Sequence, residues 1–327
     1  MQYKDRIYGS FDIVEPVLLA LMDTEALGRL KGVLQHGITG LLGITSRTTR
    51  FEHSVGVMLL VRRLGGTLEE QIAALLHDVS HTALSHVVDF MSMVGGGESL
   101  HEQVKFEYLE RSDVPGVLRR FGYRWQDFVD EARFSLLERP APSLCADRLD
   151  YFLRDALDLG LLSVGEVRFL LESVVTHEGA IALSNVEAAR LSAYKYIEAD
   201  DKSWSNLREV GLYSAAAYAI EAAIEAGVVR KEDLWGTDEV FWSKVKASDD
   251  RNVRKWLECV SPEASFVLDD GDPSFLVEPK VRTIDPAVVM EGEARPLSDI
   301  DREFARFVRE YEGRKSGKWP VKAICGS

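Results

Sequence analysis

The chain has 327 residues, 46% of them apolar and 28% charged, and a formal net charge of −14. That is the composition of a soluble globule, long enough for one large domain or two small ones. The acidity argues against nucleic acid, which needs a basic footprint, and no apolar run has the length of a membrane span.

The opening stretch, MQYKDRIYGS, lacks the apolar segment of a secretory leader. Cys145, Cys259 and Cys325 are scattered, which predicts no disulfide framework and fits a reducing cytoplasm. Residues 5–14 read as extended chain or a tight loop. Pro16 then opens a helix expected through about Leu30, with Leu18, Leu21, Met22 and Leu27 on its apolar side. The glycine-punctuated stretch 32–44 reads as loop or irregular strand. A helix is expected from Arg50 to Leu64, closed by Gly65-Gly66. Thr67 with Glu70 makes a capping box for the next helix.

That next helix leads to the densest chemistry in the chain. Four of the seven histidines, His53, His77, His81 and His86, lie between Arg50 and His86. They are set among residues such as Val55, Leu59, Ile72 and Leu76, so they are expected to lose water and need partners. Any one of them alone reads as a core histidine satisfied by a backbone carbonyl. Four together beside Asp78 point instead to a metal ion. Neighbours on a helix point about 100° apart, so His77 and Asp78 can share an ion only at a helix end or a local unwinding.

Further on, MVGGGES at 93–99 matches no phosphate-loop template and reads as a connector. His101 opens a helix to about Arg111, and 121–134 is amphipathic with an aromatic side suited to a core or subunit contact. After Pro140 and Pro142, a helix from Ser143 to Leu159 places Asp147, Tyr151, Arg154, Asp155 and Asp158 on one side. A solvated face would carry the same pattern. Asp150 falls off that side and suits an exposed position or one behind the ligands. Helices are expected at 166–175, 186–226 (interrupted near 202–206) and as a pair in 237–260. AIAL at 180–183 reads as a strand. From 261, SFVLD, FLVEP and VRTID alternate like strands, with a last helix at about 297–312. The expected fold is therefore mainly α: a helical core over 1–260 and a small mixed α/β region over 261–327.

The order H…HD…D, with RFEHSVGV, LLHDVSHTALSH, LHEQ at 100–103 and ADRLDYFLRDALDLG at 146–160, resembles the HD-domain superfamily of metal-dependent phosphohydrolases. The branch it is most similar to contains the dNTP triphosphohydrolases, and the likeness covers residues 5–175. It implies metal ligands at His53, His77, Asp78 and Asp147, holding one divalent ion. Mixed imidazole and carboxylate ligands suit Mn, Fe, Ni or Zn, with Mg an alternative. It implies α-phosphate contacts from His81, His86 and His101, with Asp89 pairing one of them and His86 as proton donor. It implies phosphate binding at Arg50 and Arg148, where the mammalian members have lysine at the second position. It implies sugar contacts at Gln35, Tyr151 and Asp155, with His36 replacing a leucine of the mammalian members. The arginine and tyrosine that a later helix supplies in the family have no counterpart in register among Arg190, Tyr194, Tyr196 and Lys202.

The expected function is hydrolysis of a small nucleotide, foremost release of triphosphate from a dNTP. A nucleoside monophosphate or cyclic dinucleotide is the enzymatic alternative, and a non-catalytic nucleotide-binding regulator the third reading. A homo-oligomer is compatible with all three.

Overall fold

The computed structural model describes residues 1–91 and 99–325; most of the expected connector at 93–99 lies outside them. The chain opens with a hairpin, β1 (Gln2–Asp5) and β2 (Gly9–Asp12), followed by α1 (Pro16–Met22) and α2 (Glu25–Arg29). The expected single helix over 16–30 is thus two. Thr24 interrupts it: its backbone is extended and its hydroxyl accepts from Leu27 N, which starts a new helix. The glycine-rich stretch, expected to lack a helix, holds α3 (Gly37–Leu41) and a single bridge between Leu34 and Thr49.

Next come α4 (Arg50–Arg63) and α5 (Leu68–Leu76). Val55 and Val57 to Val61 are apolar on every side of α4 and fully buried, the pattern of a central helix. Thr49 and Glu52 form a reciprocal capping box at its start, and Gly65, at φ +80°, follows its end. The chain then runs through a 3₁₀ turn at Ser85–Phe90 into α6 (Leu100–Arg111) and α7 (Val114–Arg120). The amphipathic stretch 121–134 is two 3₁₀ turns, with Phe128 buried.

The helix expected from Ser143 is α8 (Ala146–Asp158), followed by α9 (Val164–Ser173), β3 (Val174–His177) and β4 (Ala180–Leu183). Two long helices follow, α10 (Val186–Ala199) and α11 (Leu207–Glu225), joined by a π-helical turn at Asp200–Trp204. After α12 (Asp238–Lys246) and α13 (Arg251–Leu257) come β5 (Ser265–Leu268), β6 (Phe275–Val277), β7 (Ala287–Met290), β8 (Glu293–Pro296), α14 (Leu297–Ile300), α15 (Arg302–Lys315) and β9 (Trp319–Ile324). The fold is mainly helical, as expected. The third expected strand, VRTID, is not a strand. β7, β8 and β9 follow it instead, and Asp301 caps α15 separately from α14.

Strands after residue 261 pair in two sheets. β7 lies parallel to β4, giving the order β3-β4-β7-β8, and β9 lies between β5 and β6. Two buried clusters form the interior. One gathers α1, α4, α5, α8 and α10 with Ile284, Phe304 and Tyr311; the other gathers α11, α12 and α13 with Leu84, Val87, Val88 and Val321. The histidine segment therefore passes from one cluster to the other.

The cysteine expectation is corrected. Cys259 and Cys325 are disulfide-bonded across a separation of 66 residues, with Cα atoms 4.5 Å apart, while Cys145 is free and buried. Pairing of β9 with β5 carries Cys325 to the end of α13. Spacing along the chain could not reveal that approach. No helix among the described residues is long and apolar enough to cross a membrane.

Candidate metal centre and histidine cluster

Three elements converge at the buried centre. His53 comes from α4, held by its capped N-terminus. His77 ends α5 and Asp78 follows it, so the helix stops at the pair that must turn together. Asp147 stands in the first turn of α8. His53 Nε2 lies 2.9 Å from Asp147 Oδ1, 3.2 Å from His77 Nε2 and 3.6 Å from Asp78 Oδ2. His77 Nε2 is 3.5 Å from Asp78 Oδ1 and 3.5 Å from Asp147 Oδ1. Ligands about 2.0–2.2 Å from one ion stand roughly 3–3.5 Å apart, so His53, His77 and Asp147 could hold a single divalent metal, while Asp78 stands beside them and meets the two histidines through different oxygens. The outer ring nitrogens fix the rings: His53 Nδ1 bonds Asp150 Oδ2 at 2.7 Å and His77 Nδ1 bonds Ala74 O at 2.7 Å. Both Nε2 atoms are thereby directed inward, as metal-binding imidazoles require.

Charge is arranged to match. Burial raises the carboxyl pKa of Asp78, but Arg50, His77 and His81 outweigh it and hold Asp78 well below the usual range. The same opposition, with His53 and His77 prevailing, keeps Asp147 ionised. Burial disfavours charge on His77, yet Asp78 and Asp147 raise its pKa to about 10. Protons on the imidazoles and a cation compete for the same negative cage.

His81, His86 and His101 form a second group beside it. The His81 and His101 rings stack with centroids 3.6 Å apart, and His86 meets them edge-on at 4.9 and 5.9 Å. Burial lowers the pKa of all three, most strongly for His81 and His101. His81 Nε2 approaches Asp78 Oδ1 to 3.2 Å and makes no hydrogen bond. His86 differs. Its side chain is 35% exposed, and Nδ1 bonds Asp89 Oδ2 at 2.9 Å.

The residues expected to bind substrate are near one another but largely engaged. Arg50 donates Nη1 to Asp78 Oδ2 at 2.7 Å and Nε to Ser85 Oγ at 3.0 Å. Arg148 Nη2 donates to Glu138 Oε1 at 2.8 Å, and its Nη1 to Ser143 O at 2.7 Å. Asp155 accepts from Trp204 Nε1 at 2.8 Å and bonds His36 Nε2 at 2.8 Å. The Tyr151 and Tyr196 hydroxyls bond each other. Gln35 is the exception: its buried amide oxygen has no donor.

Of the two positions expected for Asp150, the structure has the one behind the ligands: it is buried, bonds His53 and also accepts from Arg154 Nε at 2.7 Å. Other supports escaped the sequence reading. Arg154 accordingly turns inward to Asp150 and to Asp5, 2.8 Å away, and leaves the shared face expected for it. Asp238, at the start of α12, accepts from Leu34 N at 2.8 Å and Leu84 N at 2.7 Å. It thereby ties the Gln35 loop to the turn that bears Ser85 and His86. At that turn Leu84 and Ser85 both hold positive φ, and Gly37, at φ +46°, packs so closely that a Cβ would lie 2.1 Å from Leu84 O. A carboxylate over 150 residues away has no signal in local spacing; only the Asp150–Arg154 separation hinted at an ion pair.

Comparison with known proteins agrees with this geometry. The family model described as the HD domain matches residues 50–154. The metal-dependent phosphohydrolase cns2 of Cordyceps militaris is 39% identical over 300 residues, covering 90% of this chain and 86% of that protein. The chain belongs to the HD family of metal-dependent phosphohydrolases. As such it is a hydrolase, and its HD helices are those that carry the cage. Identity to the deoxynucleoside triphosphate triphosphohydrolase SAMHD1 of Danio rerio is 35% over 210 residues, 49% of this chain and 34% of that protein. A crystal structure of a phosphohydrolase from Bacteroides thetaiotaomicron shares the fold of this HD protein, with a TM-score of 0.66, 15% identity and full coverage of both chains.

Proposed function

We propose that this HD phosphohydrolase cleaves the phosphoester of a small nucleotide, with a nucleoside monophosphate the favoured substrate. The observation that carries the reading is the juxtaposition of His53, His77 and Asp147, with Asp78 beside them, and the His81–His86–His101 group. A divalent ion held by the four ligands supplies Lewis acidity toward a phosphoryl oxygen and toward water. Asp150 and the Ala74 carbonyl hold the two ligand rings in register, and Arg50 fixes Asp78. His81 and His101, kept neutral by burial, offer ring N–H groups to phosphate oxygens. Water oxygen bonds to phosphorus as the ester P–O bond breaks, the water proton passes to an oxygen of the phosphate product, and His86, in the protonated form that Asp89 favours against burial, gives its proton to the departing oxygen. Contact with solvent and with Asp89 suits His86 to regain that proton.

The length of the phosphate chain follows from the available cations. Arg50 and Arg148 both have carboxylate partners, so a triphosphate would have to displace Glu138 from Arg148. A single phosphate asks for less. The doubly bonded Asp155 is poorly placed to accept a 3′-hydroxyl, whereas the unpartnered Gln35 oxygen suits a sugar hydroxyl donor. Release of triphosphate from a dNTP is the second reading, favoured by the similarity to SAMHD1. Product analysis on a panel of mono-, di-, tri- and cyclic nucleotides with Mn, Fe, Ni, Zn and Mg tests both. Orthophosphate from a monophosphate supports the first, triphosphate from a dNTP the second. No turnover with any metal overturns the catalytic reading.

A further inference from the structure

We propose that Asp238 is a positioning residue for His86: its carboxylate holds the strained turn that presents the imidazole to the histidine cluster. The proposal rests on the reading of His86 as proton donor given above. Asp238 lies outside residues 50–154, which match the HD domain.

Asp238 stands in the first turn of α12, where an acid ordinarily serves its own helix. This carboxylate instead bonds other segments. The residue is 1% exposed, Oδ1 accepts from Leu84 N at 2.7 Å, and Oδ2 accepts from Leu34 N at 2.8 Å. The segment that leads into α12 is itself pinned to the site. Leu234 O accepts from Ala83 N at 2.6 Å, and Arg29 donates both to Gly236 O at 3.2 Å and to His81 O at 2.6 Å.

The turn needs such holding. Leu84, at φ +63°, and Ser85, at φ +50°, are consecutive left-handed residues, neither of them glycine. That conformation costs free energy and persists only where the surroundings impose it. Burial of Leu84 beside Val87 and Val88 is one imposition, and the bond from its N–H to Asp238 is another. Ser85 Oγ adds a third: it donates to Leu34 O at 2.6 Å and accepts from Arg50 Nε at 3.0 Å. His86 is the next residue. Asp89 bonds its ring at 2.9 Å and accepts from Leu100 N at 2.9 Å, which fixes the far side of the turn against α6. Asp238 fixes the near side against Leu34 and, through Ser85 and Arg50, against Asp78. The approach of His86 to His81, with ring centroids 4.9 Å apart, depends on both sides.

An amide at position 238 keeps one accepting oxygen and turns its NH₂ toward the other backbone N–H, so one brace is lost and two donors face each other. The bonds of Ala83 and Ser85 keep the segment folded while the two left-handed residues relax. A misplacement of about 1 Å at a reacting group costs on the order of 10²-fold in rate.

The test compares wild type, Asp238→Asn, His86→Ala and the double variant as metal-loaded, full-length protein. It is run at pH 8, above the Asp238 pKa of about 6. Asp238→Asn is expected to lower the single-turnover rate by on the order of 10- to 100-fold, with metal content and nucleotide affinity unchanged. In the His86→Ala background it should slow the reaction no further, because no imidazole is left to aim; a general loss of structure would slow both. The proposal is overturned if Asp238→Asn keeps the wild-type rate, or if it slows His86→Ala as much as it slows the wild type. If the wild type turns over no nucleotide, or His86→Ala is as fast as wild type, the donor reading fails by itself. Histidine-ring NMR signals of the zinc-loaded proteins then decide the positioning: a displaced His86 signal in Asp238→Asn, with those of His53 and His77 in place, upholds it, and an unchanged His86 signal refutes it. Should Asp238→Asn not fold, Asp238→Ser, whose hydroxyl can accept from only one of the two N–H groups, takes its place and is scored the same way.

Discussion

Asp150→Asn separates what the cage owes to its ligands from what it owes to the carboxylate behind them. Asp150 accepts from His53 Nδ1 at 2.7 Å, from Arg154 Nε at 2.7 Å and from Arg154 Nη2 at 3.0 Å. An amide keeps the volume but retains one accepting oxygen, so its NH₂ must face either His53 or Arg154, both donors. Losing a buried hydrogen bond to a charged group costs about 1.5–3 kcal/mol. Arg154 retains Asp5, which limits the damage. Asp150→Ala, leaving Arg154 with half its partners, should cost about 3–5 kcal/mol. Metal affinity should fall about 10- to 100-fold in Asp150→Asn, because the ring of His53 loses the partner that orients it. Urea unfolding in chelator reads the first effect. Competition with a chromophoric chelator, under conditions where both proteins are folded, reads the second. An Asp150→Asn protein that binds metal as tightly as wild type would refute the claim that this carboxylate orients His53.

Four further outcomes are expected. Asp78→Ala should lose its metal while staying folded, whereas His86→Ala should keep metal and nucleotide binding but turn over about 10²–10⁴-fold more slowly; metal content and single-turnover rates on the same preparations decide, and metal lost with His86 would make it a ligand. Gly56→Ala would place a Cβ 2.0 Å from Arg154 Nη2 and 2.2 Å from Asp150 Oδ1, so it should cost at least about 1–3 kcal/mol of stability by overpacking, and an unchanged urea midpoint would contradict the packing. Burial, opposed by the two backbone N–H groups, raises the Asp238 pKa to about 6; this acid is more readily ionised unfolded, so its contribution favours folding below about pH 4 and is lost as pH rises through 6. The stability of Asp238→Asn relative to wild type should therefore improve by about 2 kcal/mol between pH 4 and pH 7, and a difference that stays flat with pH would refute the assignment. Reducing the Cys259–Cys325 bond releases a span of 66 residues, worth about 4 kcal/mol in chain entropy; equal urea midpoints with and without reductant would show that the bond adds no stability.

Much of this protein is legible in its amino acids. The apolar runs around His53 and His77 require buried helices, and Gly65 ends the first of them. His77 and Asp78 could share an ion only at a helix end or a local unwinding, and α5 ends at Leu76 with His77 as its cap. These are local matters of periodicity, capping and the cost of dry imidazoles, so they can be read along the chain. Other features were settled by tertiary structure. Asp150 and Arg154 turn inward because Gly56 leaves room for them against α4, and Asp238 reaches two loops because α12 packs beneath them. Arg148 and Asp155 match expected substrate contacts by position, yet Glu138, His36 and Trp204 occupy them. Cys325 meets Cys259 only through strand pairing. Spacing along a chain specifies which side chains share an element, whereas partners far apart in sequence are chosen by how elements pack; that is why the helices bearing His53 and His77 could be read in advance and the partners around them could not.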